Sequence, residues 1–381
     1  MSKTIAVLGA TGSVGTQALD VALKRGYRVD LITANRDAKL AEELARLHRP
    51  SAVAMADPSA ATALRLSLAD TDIRVYEGEE GIPEAISASR ADCVINSILG
   101  KAGLIPTLAV ISSGKRLALA NKESLVIAGD IVMSRAKSAG VEILPVDSEH
   151  SAIFQSLKSG RSCEIKSIIL TASGGPFYGK SRRELENVTL EQTLAHPTWK
   201  MGKKITVDSA TLMNKGFEVV EAAHLFGVGA DRIKVTVHRE SILHSAVEYI
   251  DNSIIGDLSS PDMRSCVQYA VDYPDRMEGV CAPLDLFAVG KLTFAEPDEE
   301  AFPLLGLARR SMLLGGAMPA IMNAADEVAV DAFLNGRLSF TGIYRVVTDT
   351  FEELISGKSA RALEDILAYD GEARRVASLK I

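Results

Sequence analysis

The chain has 381 residues, 47% of them hydrophobic and 24% charged, which is the composition of a water-soluble globular protein of two or three domains. A net charge of −7 argues against nucleic acid as the main partner, and no apolar run is long enough to span a membrane. The four cysteines are scattered without a CxxC pair, which predicts reduced thiols in a cytoplasmic protein.

The first predicted element is a short apolar strand, Thr4–Leu8, and its early position predicts that no signal or transit peptide is present. It enters the glycine-rich turn GATGSVG, residues 9–15, and then a helix to about Arg25. Such a turn lets the backbone approach a dinucleotide pyrophosphate, and the helix N-terminus favours its charge. The GxxGxxG spacing is less common than GxGxxG, so a tight turn without a ligand is the alternative.

The second predicted strand, residues 28–33, ends in Ala34-Asn35-Arg36. An arginine at this position suits a 2′-phosphate and favours NADP over NAD, although Asp37 weakens the inference unless it only caps the next helix. Helices and strands then alternate, which predicts a doubly wound parallel sheet. The further strands are predicted at residues 51–54, 73–76, 92–96, 116–119 and 141–146.

The segment Asn121-Lys122-Glu123 follows the strand Arg116–Leu119, at the carboxyl end of a parallel strand, where ligands bind in such sheets. Helix capping is the alternative role for Asn121 and Glu123. A lysine opposes the dipole at a helix start, so Lys122 is a candidate for contacting a substrate oxygen or phosphate.

Two carboxylates, Asp147 and Glu149, follow the apolar run of residues 141–146. If the strand continues through them, both side chains leave on one side of the backbone and repel each other. Hard oxygen ligands suit Mg²⁺ or Mn²⁺. The alternative is a solvated acidic turn in which Asp147 or Ser148 caps the next helix.

Two loops in the middle of the chain have the composition of ligand-binding loops. Ser173-Gly174-Gly175 follows a predicted strand at residues 165–170 and offers a hydroxyl and backbone amides to an anion, with an ordinary glycine turn as the alternative. Residues 196–203, HPTWKMGK, contain the single tryptophan, Trp199, beside His196. They predict a lid over a ligand, with a loop whose tryptophan packs into the core as the alternative.

A helix is predicted to begin with Asp208 or Ser209 as its N-cap and to continue to about residue 225. On this helix Asn214, Lys215 and Glu218 share one face. Their polar groups would hold a phosphate, and Glu218 could supply a third carboxylate to a cation at Asp147 and Glu149. The alternative is a surface ion pair between Lys215 and Glu218, which would contribute little.

The predicted fold is α/β, with an N-terminal Rossmann-type sheet, an α+β catalytic domain and a C-terminal helical bundle. Strands at residues 233–237, 246–250 and 253–258 form the small sheet of the catalytic domain, and residues 272–298 lack periodicity. Four helices are predicted after residue 302. The predicted domain limits are 1–147 for the cofactor domain, 148–272 for the catalytic domain, 273–298 for a connector and 299–381 for the helical domain.

Several long motifs resemble the family of 1-deoxy-D-xylulose 5-phosphate reductoisomerases. The matching stretches are GATGSVG, LALANKESLV, PVDSEHSAIFQ, TASGGPF, HPTWKMGKKITVDSATLMNKGFEVVEA, CAPLDL and MNAADEVAVDAFL. They span nearly the whole chain, and the long middle stretch is highly specific. The resemblance implies an NADPH- and metal-dependent enzyme of the non-mevalonate isoprenoid pathway, with Mg²⁺, Mn²⁺ or Co²⁺ as the cation, that acts as a homodimer.

The resemblance also implies a role for individual residues. Asp147, Glu149 and Glu218 would be metal ligands, and the substrate phosphate would be held by Ser173, Ser209, Asn214 and Lys215. Ser148 and Lys122 would contact substrate oxygens. Residues 196–201 would form a flap in which Trp199 covers the substrate and His196 lies near its phosphate. Cofactor contacts would come from Thr11, Gly12, Ser13, Val14, Asn35, Arg36, Asn121, Glu123 and Gly202.

The chain departs from the family pattern at three places. The family commonly has Ala-Gly-x-Asn where this chain has Ala34-Asn35-Arg36-Asp37, often His-Pro-Gln-Ser at residues 238–241, where this chain has HRES, and often Asn at Asp326. The implied reaction converts 1-deoxy-D-xylulose 5-phosphate to 2-C-methyl-D-erythritol 4-phosphate, by a retroaldol–aldol route or an α-ketol shift and then hydride transfer. The proton-transfer group is Lys122, Glu149 or a bound water.

Two other functions are compatible with parts of the sequence. One is an NADP-dependent oxidoreductase of another phosphorylated substrate that uses a nucleophilic cysteine, for which no cysteine has a visible base partner. The other is a non-catalytic NADP-sensing module, which leaves the three carboxylates unexplained.

Overall fold

The computed structural model describes residues 3–199 and 201–381. Its seven-stranded parallel sheet, second sheet and helical C-terminal region confirm the predicted fold class. The chain divides into two compact units. The domain limits given above stay a prediction.

The first unit contains the parallel sheet and comprises the chain up to Ser124, Val132–Ser151 and Asp262–Pro283. The strand order is β4-β3-β2-β1-β5-β6-β7. The chain order therefore reverses between β1 and β5, and ligands of doubly wound sheets bind at the carboxyl ends beside such a reversal. The strands are β1 Thr4–Leu8, β2 Arg28–Ala34, β3 Ala52–Met55, β4 Arg74–Glu77, β5 Cys93–Asn96, β6 Arg116–Leu119 and β7 Ile143–Pro145.

Helices flank this sheet because its strands are apolar on both faces, as in β1, where Ile5 to Leu8 are fully buried. The helices are α1 Ser13–Arg25, α2 Ala38–His48, α3 Pro58–Ser67, α4 Gly78–Ala88, α5 Leu104–Ser112, α6 Glu123–Ala139 and α7 Ser148–Ser156. Residues 125–131 of α6 and residues 152–156 of α7 belong to the second unit.

The second unit comprises Leu125–Ile131, Ala152–Pro261 and Leu284–Ile381. Its sheet has the order β11-β10-β8-β9, in which β8 and β9 are parallel and the other pairs antiparallel. The carboxyl ends of β8 and β9 therefore meet at one edge of this sheet. The strands are β8 Ile165–Ala172, β9 Ile233–Val237, β10 Leu243–Tyr249 and β11 Ile254–Leu258.

The last four of the remaining helices in the described residues are the four that were predicted after residue 302. They are α8 Leu190–Leu194, α9 Lys203–Thr211, α10 Met213–Phe226, α11 Met263–Asp272, α12 Leu286–Val289, α13 Leu304–Leu314, α14 Met318–Leu334, α15 Phe340–Glu353 and α16 Leu363–Leu379. Short 3-10 helices lie at Gly100–Gly103, Leu157–Ser159, Ser162–Glu164, Glu184–Asn187, Ala230–Arg232 and Ile355–Ser359. Helix α11 belongs to the first unit, where it packs on α1.

Two local predictions were wrong. The strand before the acidic residues does not continue through them, because β7 ends at Pro145 and α7 begins at Ser148. Neither Asp208 nor Ser209 caps a helix, because both lie inside α9, which starts after Gly202. Helix α9 is separated from α10 by Leu212, whose φ of +61° interrupts the helical path.

Within the described residues, no helix is both long and apolar enough to cross a membrane. The structure describes all four cysteines, and none of them forms a disulfide.

Candidate active site

The glycine turn of the first unit leaves little room for side chains. Gly9 has a φ of +78°, and a Cβ there would lie 2.8 Å from the Ser97 carbonyl oxygen. A Cβ at Gly15 would lie 2.2 Å from the Gly9 carbonyl oxygen. The first turn of α1, Ser13-Val14-Gly15-Thr16, is uncharged and follows Gly12. The turn therefore fits the diphosphate of a dinucleotide, which needs close backbone approach and an open helix N-terminus.

The end of β2 carries the two residues expected near the adenosine end of a cofactor, Asn35 and Arg36. Arg36 is 81% exposed, and its Nε lies 3.3 Å from Oδ2 of Asp57. Asp37 accepts a hydrogen bond of 3.0 Å from the Leu40 N–H and caps α2. Its carboxylate is thus used locally, so Arg36 remains the residue that favours a 2′-phosphate.

Asn121 and Glu123 form one buried network after β6. The Asn121 amide donates to Glu123 at 2.9 Å and to the Gly100 carbonyl at 3.0 Å, while its Oδ1 accepts from the Ser124 N–H at 3.1 Å. The capping interpretation of Asn121 therefore holds. A Cβ at Gly103 would lie 2.4 Å from Asn121, so close packing also fixes this side chain.

Lys122 is 7% exposed, and its ammonium donates to Oδ2 of Asp147 at 2.9 Å. The two side chains come from the carboxyl ends of neighbouring strands, β6 and β7. The pair explains why a lysine is tolerated at the start of α6, where it opposes the helix dipole.

Asp147 caps a helix and also lies close to a second carboxylate. Its Oδ1 accepts from the N–H groups of Glu149 at 3.1 Å and His150 at 3.4 Å, which is helix capping. Carboxylate oxygens of Asp147 and Glu149 also lie within 4.8 Å of each other, as two ligands of one cation would. The Ser148 hydroxyl donates to Glu149 at 2.5 Å.

His150 is a residue of this site that the sequence analysis did not single out. Its ring is fully buried, and Nδ1 lies 3.0 Å from Oδ1 of Asp147. Its position three residues after Asp147, one helical turn along, was the available signal.

In the second unit, Ser173, His196 and Ser209 come together. Nε2 of His196 lies 3.0 Å from the Ser173 hydroxyl oxygen and 3.2 Å from that of Ser209. Gly174 and Gly175 both have positive φ, and the Gly175 N–H donates to the Ser173 hydroxyl at 3.3 Å. Both glycines therefore adopt a conformation that other residues rarely adopt, and the turn is held partly by its own Ser173 hydroxyl.

The hydrogen bonds of His196 define its tautomer. Nδ1 accepts from the N–H groups of Thr198 at 3.2 Å and Trp199 at 2.9 Å, so it carries no proton. Nε2–H is then the donor towards the two serines. Burial, helped by the charge of Arg239, lowers the pKa of His196 to about 4, so the ring is neutral at physiological pH.

The predicted flap begins at His196, but Lys200 within it lies outside the described residues. Trp199 is half-buried, and its ring lies 6.3 Å from that of His244. This burial does not decide between a lid over a ligand and a loop whose tryptophan packs into the core. Gly202 is exposed and caps α9. Its predicted contact with the cofactor stays a prediction.

Asn214, Lys215 and Glu218 lie on one face of α10, as their spacing predicted. The Asn214 amide donates to Oε1 of Glu218 at 2.5 Å, and the Lys215 ammonium donates to Oε2. Lys215 is 4% and Glu218 1% exposed, so this ion pair is buried and is not the surface pair considered as an alternative. A buried carboxylate and ammonium side by side are typical of a binding site.

The structure adds Arg239 to the residues around Ser173. Its guanidinium donates to the carbonyl oxygens of Ser173 at 3.2 Å and Gly175 at 2.7 Å. Arg239 follows β9 and Ser173 follows β8, and these strands are parallel neighbours. The sequence contained both strands but not their pairing, so this contact was not predicted.

Two of the four cysteines, Cys93 and Cys281, do not have the properties of nucleophiles. Burial raises the pKa of Cys93 to about 12, and burial together with the charge of Asp262 raises that of Cys281 to about 11. Both thiols are therefore protonated at neutral pH. Neither of these two thiols is therefore suited to the nucleophilic role that the alternative oxidoreductase requires.

Family models match most of the chain. A model of 1-deoxy-D-xylulose 5-phosphate reductoisomerase matches residues 5–129, and models of its C-terminal domains match residues 143–226 and 258–376. A 1-deoxy-D-xylulose 5-phosphate reductoisomerase of Caldanaerobacter subterraneus is 49% identical over 98% of this chain and 97% of its own length. That of Symbiobacterium thermophilum is 51% identical over 92% of each chain.

Solved structures of 1-deoxy-D-xylulose 5-phosphate reductoisomerases are also similar to this chain. The 1-deoxy-D-xylulose 5-phosphate reductoisomerase from Zymomonas mobilis in complex with NADPH is 42% identical, covers 100% of this chain and 99% of its own, and has a TM-score of 0.92. A DOX-P reductoisomerase in complex with NADPH, fosmidomycin and magnesium is 38% identical, covers 99% and 98%, and has a TM-score of 0.95.

Proposed function

This chain belongs to the 1-deoxy-D-xylulose 5-phosphate reductoisomerase family, and from that premise we propose how its side chains divide the work of the reaction. The chain is an NADPH- and metal-dependent enzyme of isoprenoid biosynthesis that rearranges and reduces 1-deoxy-D-xylulose 5-phosphate to 2-C-methyl-D-erythritol 4-phosphate. The observation that carries this conclusion is identity of about half of the residues over nearly the full length. The residue roles, the dimer and the cytoplasmic location are proposals.

NADPH binds at the turn of residues 9–15, with its diphosphate on the N–H groups around Thr11, Gly12, Ser13 and Val14. The cofactor supplies the hydride that reduces the rearranged aldehyde. Arg36 lies beside the 2′-phosphate, and Asn35 accompanies it at the end of β2. Asn121 and Glu123 support the nicotinamide side. The close packing of Gly9 and Gly15 supports this assignment.

Asp147, Glu149 and Glu218 hold the divalent cation. When bound, the cation supplies Lewis-acid polarisation of the carbonyl and hydroxyl oxygens of the substrate. The nearness of the Asp147 and Glu149 carboxylates supports the donor set, because each oxygen is a hard ligand. The ammonium of Lys122 holds Asp147 in place and lies in reach of substrate oxygens, with Ser148 beside it. Lys122 and Glu149 are the candidates within the chain for moving the proton.

The substrate phosphate is held by Ser173, Ser209, Asn214 and Lys215, with Nε2–H of His196 as a further donor. A grip on the phosphate keeps the reacting carbons in a fixed position, which reduces the entropy lost in the rearrangement. Trp199 covers the substrate and excludes water during hydride transfer. The Ser173–His196–Ser209 cluster and the neutral ring of His196 support this assignment.

Glu218→Gln tests the cation site. Because glutamine loses the negative charge and one ligand oxygen, we expect Mg²⁺-dependent NADPH oxidation with 1-deoxy-D-xylulose 5-phosphate to fall at least about 100-fold. The decrease should be accompanied by weaker activation by Mg²⁺ and by unchanged NADPH affinity, measured by fluorescence titration.

Glu372→Gln is a matched control, because Glu372 also pairs with a cation three residues away, Arg375, but on an exposed face of α16. Its activity should equal that of the wild type. Activity of Glu218→Gln close to that of the wild type, or wild-type activity resistant to a chelator, would contradict the cation site.

A second copy of the chain is the partner that fits the exposed edge of the second sheet. Strand β11 is terminal in that sheet, and Ile254, Ile255 and Leu258 on it are 57%, 38% and 41% exposed. An apolar edge strand of this kind invites pairing with another chain. A two-fold dimer would cover the same edge in both copies.

A further inference from the structure

The turn that bears Ser173 has a basic neighbour outside the residues assigned above. Arg239 begins the segment after β9, and its Nη1 donates to the carbonyl oxygens on either side of Gly174. Both carbonyls belong to the turn whose N–H groups are candidates for an anion. These two hydrogen bonds tie the turn to the segment that follows β9.

In the part of the chain that the structure describes, no carboxylate pairs with the charge of Arg239. Among the described residues its partners are the two carbonyl oxygens and the ring of Tyr178, 5.1 Å from the guanidinium carbon. The adjacent Glu240 is occupied elsewhere, because it accepts hydrogen bonds from the hydroxyl of Thr293 at 2.7 Å and from its N–H at 3.3 Å. A half-buried cation without an acidic partner raises the local positive potential.

The positive charge of Arg239 acts on the residues proposed to donate to the phosphate. Arg239 is close enough to His196 to lower its pKa, and His196 lies between Ser173 and Ser209.

We propose that Arg239 is a positioning and electrostatic determinant of the phosphate subsite: it fixes the Ser173–Gly175 turn and adds a positive charge beside it, which raises affinity for phosphorylated ligands. The proposal rests on the assignment of this subsite to the substrate phosphate. It extends the subsite by a residue that does not touch the reacting atoms.

The test compares Arg239→Met with Arg239→Lys in the full-length enzyme. Methionine removes the charge and both hydrogen bonds, so KM for 1-deoxy-D-xylulose 5-phosphate and the dissociation constant of inorganic phosphate should each rise about tenfold. KM for NADPH should stay within about twofold of the wild type, because the cofactor binds elsewhere. Lysine keeps the charge but not the planar guanidinium group, so KM and the phosphate dissociation constant of Arg239→Lys should lie between those of the wild type and Arg239→Met.

The chain offers a matched control at the opposite end of the same strand pair. Arg232 precedes β9 and donates to the carbonyl oxygens of Ile165 and Lys166 at the start of β8. Arg232→Met removes the same kind of side chain and the same kind of bond far along the strands from Ser173. Arg232→Met should leave KM for 1-deoxy-D-xylulose 5-phosphate and the dissociation constant of inorganic phosphate unchanged.

Two further measurements separate an electrostatic role from a merely structural one. The difference in phosphate dissociation constant between wild type and Arg239→Met should become smaller as the salt concentration is raised, because screening weakens the contribution of the charge. The NMR titration of His196 should move to higher pH in Arg239→Met, since a neighbouring cation is removed.

The inference is overturned if Arg239→Met binds phosphate as the wild type does, if Arg232→Met has an equal effect, or if KM for NADPH rises in parallel. Inorganic phosphate is titrated by the fluorescence of Trp199, the single tryptophan, and needs no turnover. An enzyme that binds phosphate through Arg239 but does not convert the sugar phosphate would therefore contradict the proposed substrate role and leave this inference standing.

Discussion

His196 is held by hydrogen bonds at both ring nitrogens, and this determines what it can do. Its Nδ1 accepts two backbone N–H groups of its own loop, so the loop conformation fixes the ring. A neutral imidazole contributes one donor towards a phosphate and no charge. In the proposed phosphate site, the positive charge would therefore come from Lys215 and Arg239.

The lowered pKa of His196 has a consequence for stability. The folded state holds the ring neutral down to about pH 4, whereas an unfolded histidine binds its proton near pH 6.5. Between these values the unfolded state binds more protons, so this residue makes stability rise with pH across that window. We expect the melting temperature of His196→Gln to fall less than that of the wild type between pH 6.5 and pH 5.

An NMR titration of the six histidines, with His196→Gln for assignment, checks this prediction directly. A wild-type His196 signal that titrates near pH 6.5 would refute the neutral ring.

The sequence predicted some residues of the candidate site and missed others. The difference lies in how far apart along the chain the contacting residues are. Asp147, Lys122 and Ser173 each follow a recognisable strand, so their place at a strand end was readable from the sequence. Arg239 also follows a strand, but its partner lies 66 residues away along the chain. Only the pairing of β8 with β9 brings them together, and hydrophobic patterns do not specify pairing.

Among the helices, the junction of α9 and α10 departs most from local preference. Leu212 adopts φ of +61°, a conformation that costs a non-glycine residue roughly 1–2 kcal/mol. The sequence around it predicted one helix with a cap at Asp208 or Ser209, because leucine is a good helix former. The break sets Ser209 and Asn214 on separate helices, and the buried side chain of Leu212 offsets the strain.

Helices α9 and α14 are joined by a buried ionic contact. Lys204 donates to Oδ2 of Asp208 at 2.6 Å and to Oδ2 of Asp326 at 2.9 Å. Asp326 is completely buried, and this burial raises its pKa even though Lys204 opposes the shift. The family often has asparagine at this position.

Asp326→Asn should therefore keep the hydrogen bond from Lys204 and make the stability of the protein depend less on pH. In the wild type the raised pKa makes the folded state bind more protons than the unfolded state, so stability is lost as pH rises above the ordinary aspartate value of 3.8. Asparagine does not titrate, so its melting temperature should exceed that of the wild type increasingly as pH rises. Asp326→Ala should instead lose about 1–3 kcal/mol at neutral pH, because Lys204 loses a buried acceptor.

Asp331→Asn on the same helix is the control, because Asp331 lies on an exposed face in a pair with Arg337. Calorimetry across the acidic and neutral range provides the measurement. A constant difference between Asp326→Asn and the wild type at every pH would contradict the raised pKa.

At the scale of the whole molecule, the two units were predicted with different success. The parallel sheet of the first unit could be predicted because glycine turn, apolar strands and helices alternate in a regular order. Helix α11, which also belongs to this unit, was not predicted. In the second unit the strands were predicted, but β8 and β9 are separated by 60 residues that include the proposed flap and the helices α8, α9 and α10. A parallel pair with so long a connection leaves no local signal.

The proposed dimer makes a prediction for the assembled protein. Ile254→Asp places a charge on the exposed edge strand, and we expect it to weaken dimerisation at least about tenfold in sedimentation equilibrium. Leu66→Asp is the control, because Leu66 is an exposed leucine, 75% accessible, on α3 of the first unit. Wild-type protein that sediments as a monomer at micromolar concentration would exclude the dimer.

The distribution of thiols gives the molecule a single natural labelling position. Cys93 and Cys266 are buried, Cys281 is partly covered with a pKa of about 11, and Cys163 is exposed just before β8. A maleimide dye should therefore attach first at Cys163, without any cysteine having to be removed. Because Trp199 belongs to the same unit, energy transfer from its indole to that dye would test, without any substitution, whether the proposed flap moves when substrate binds.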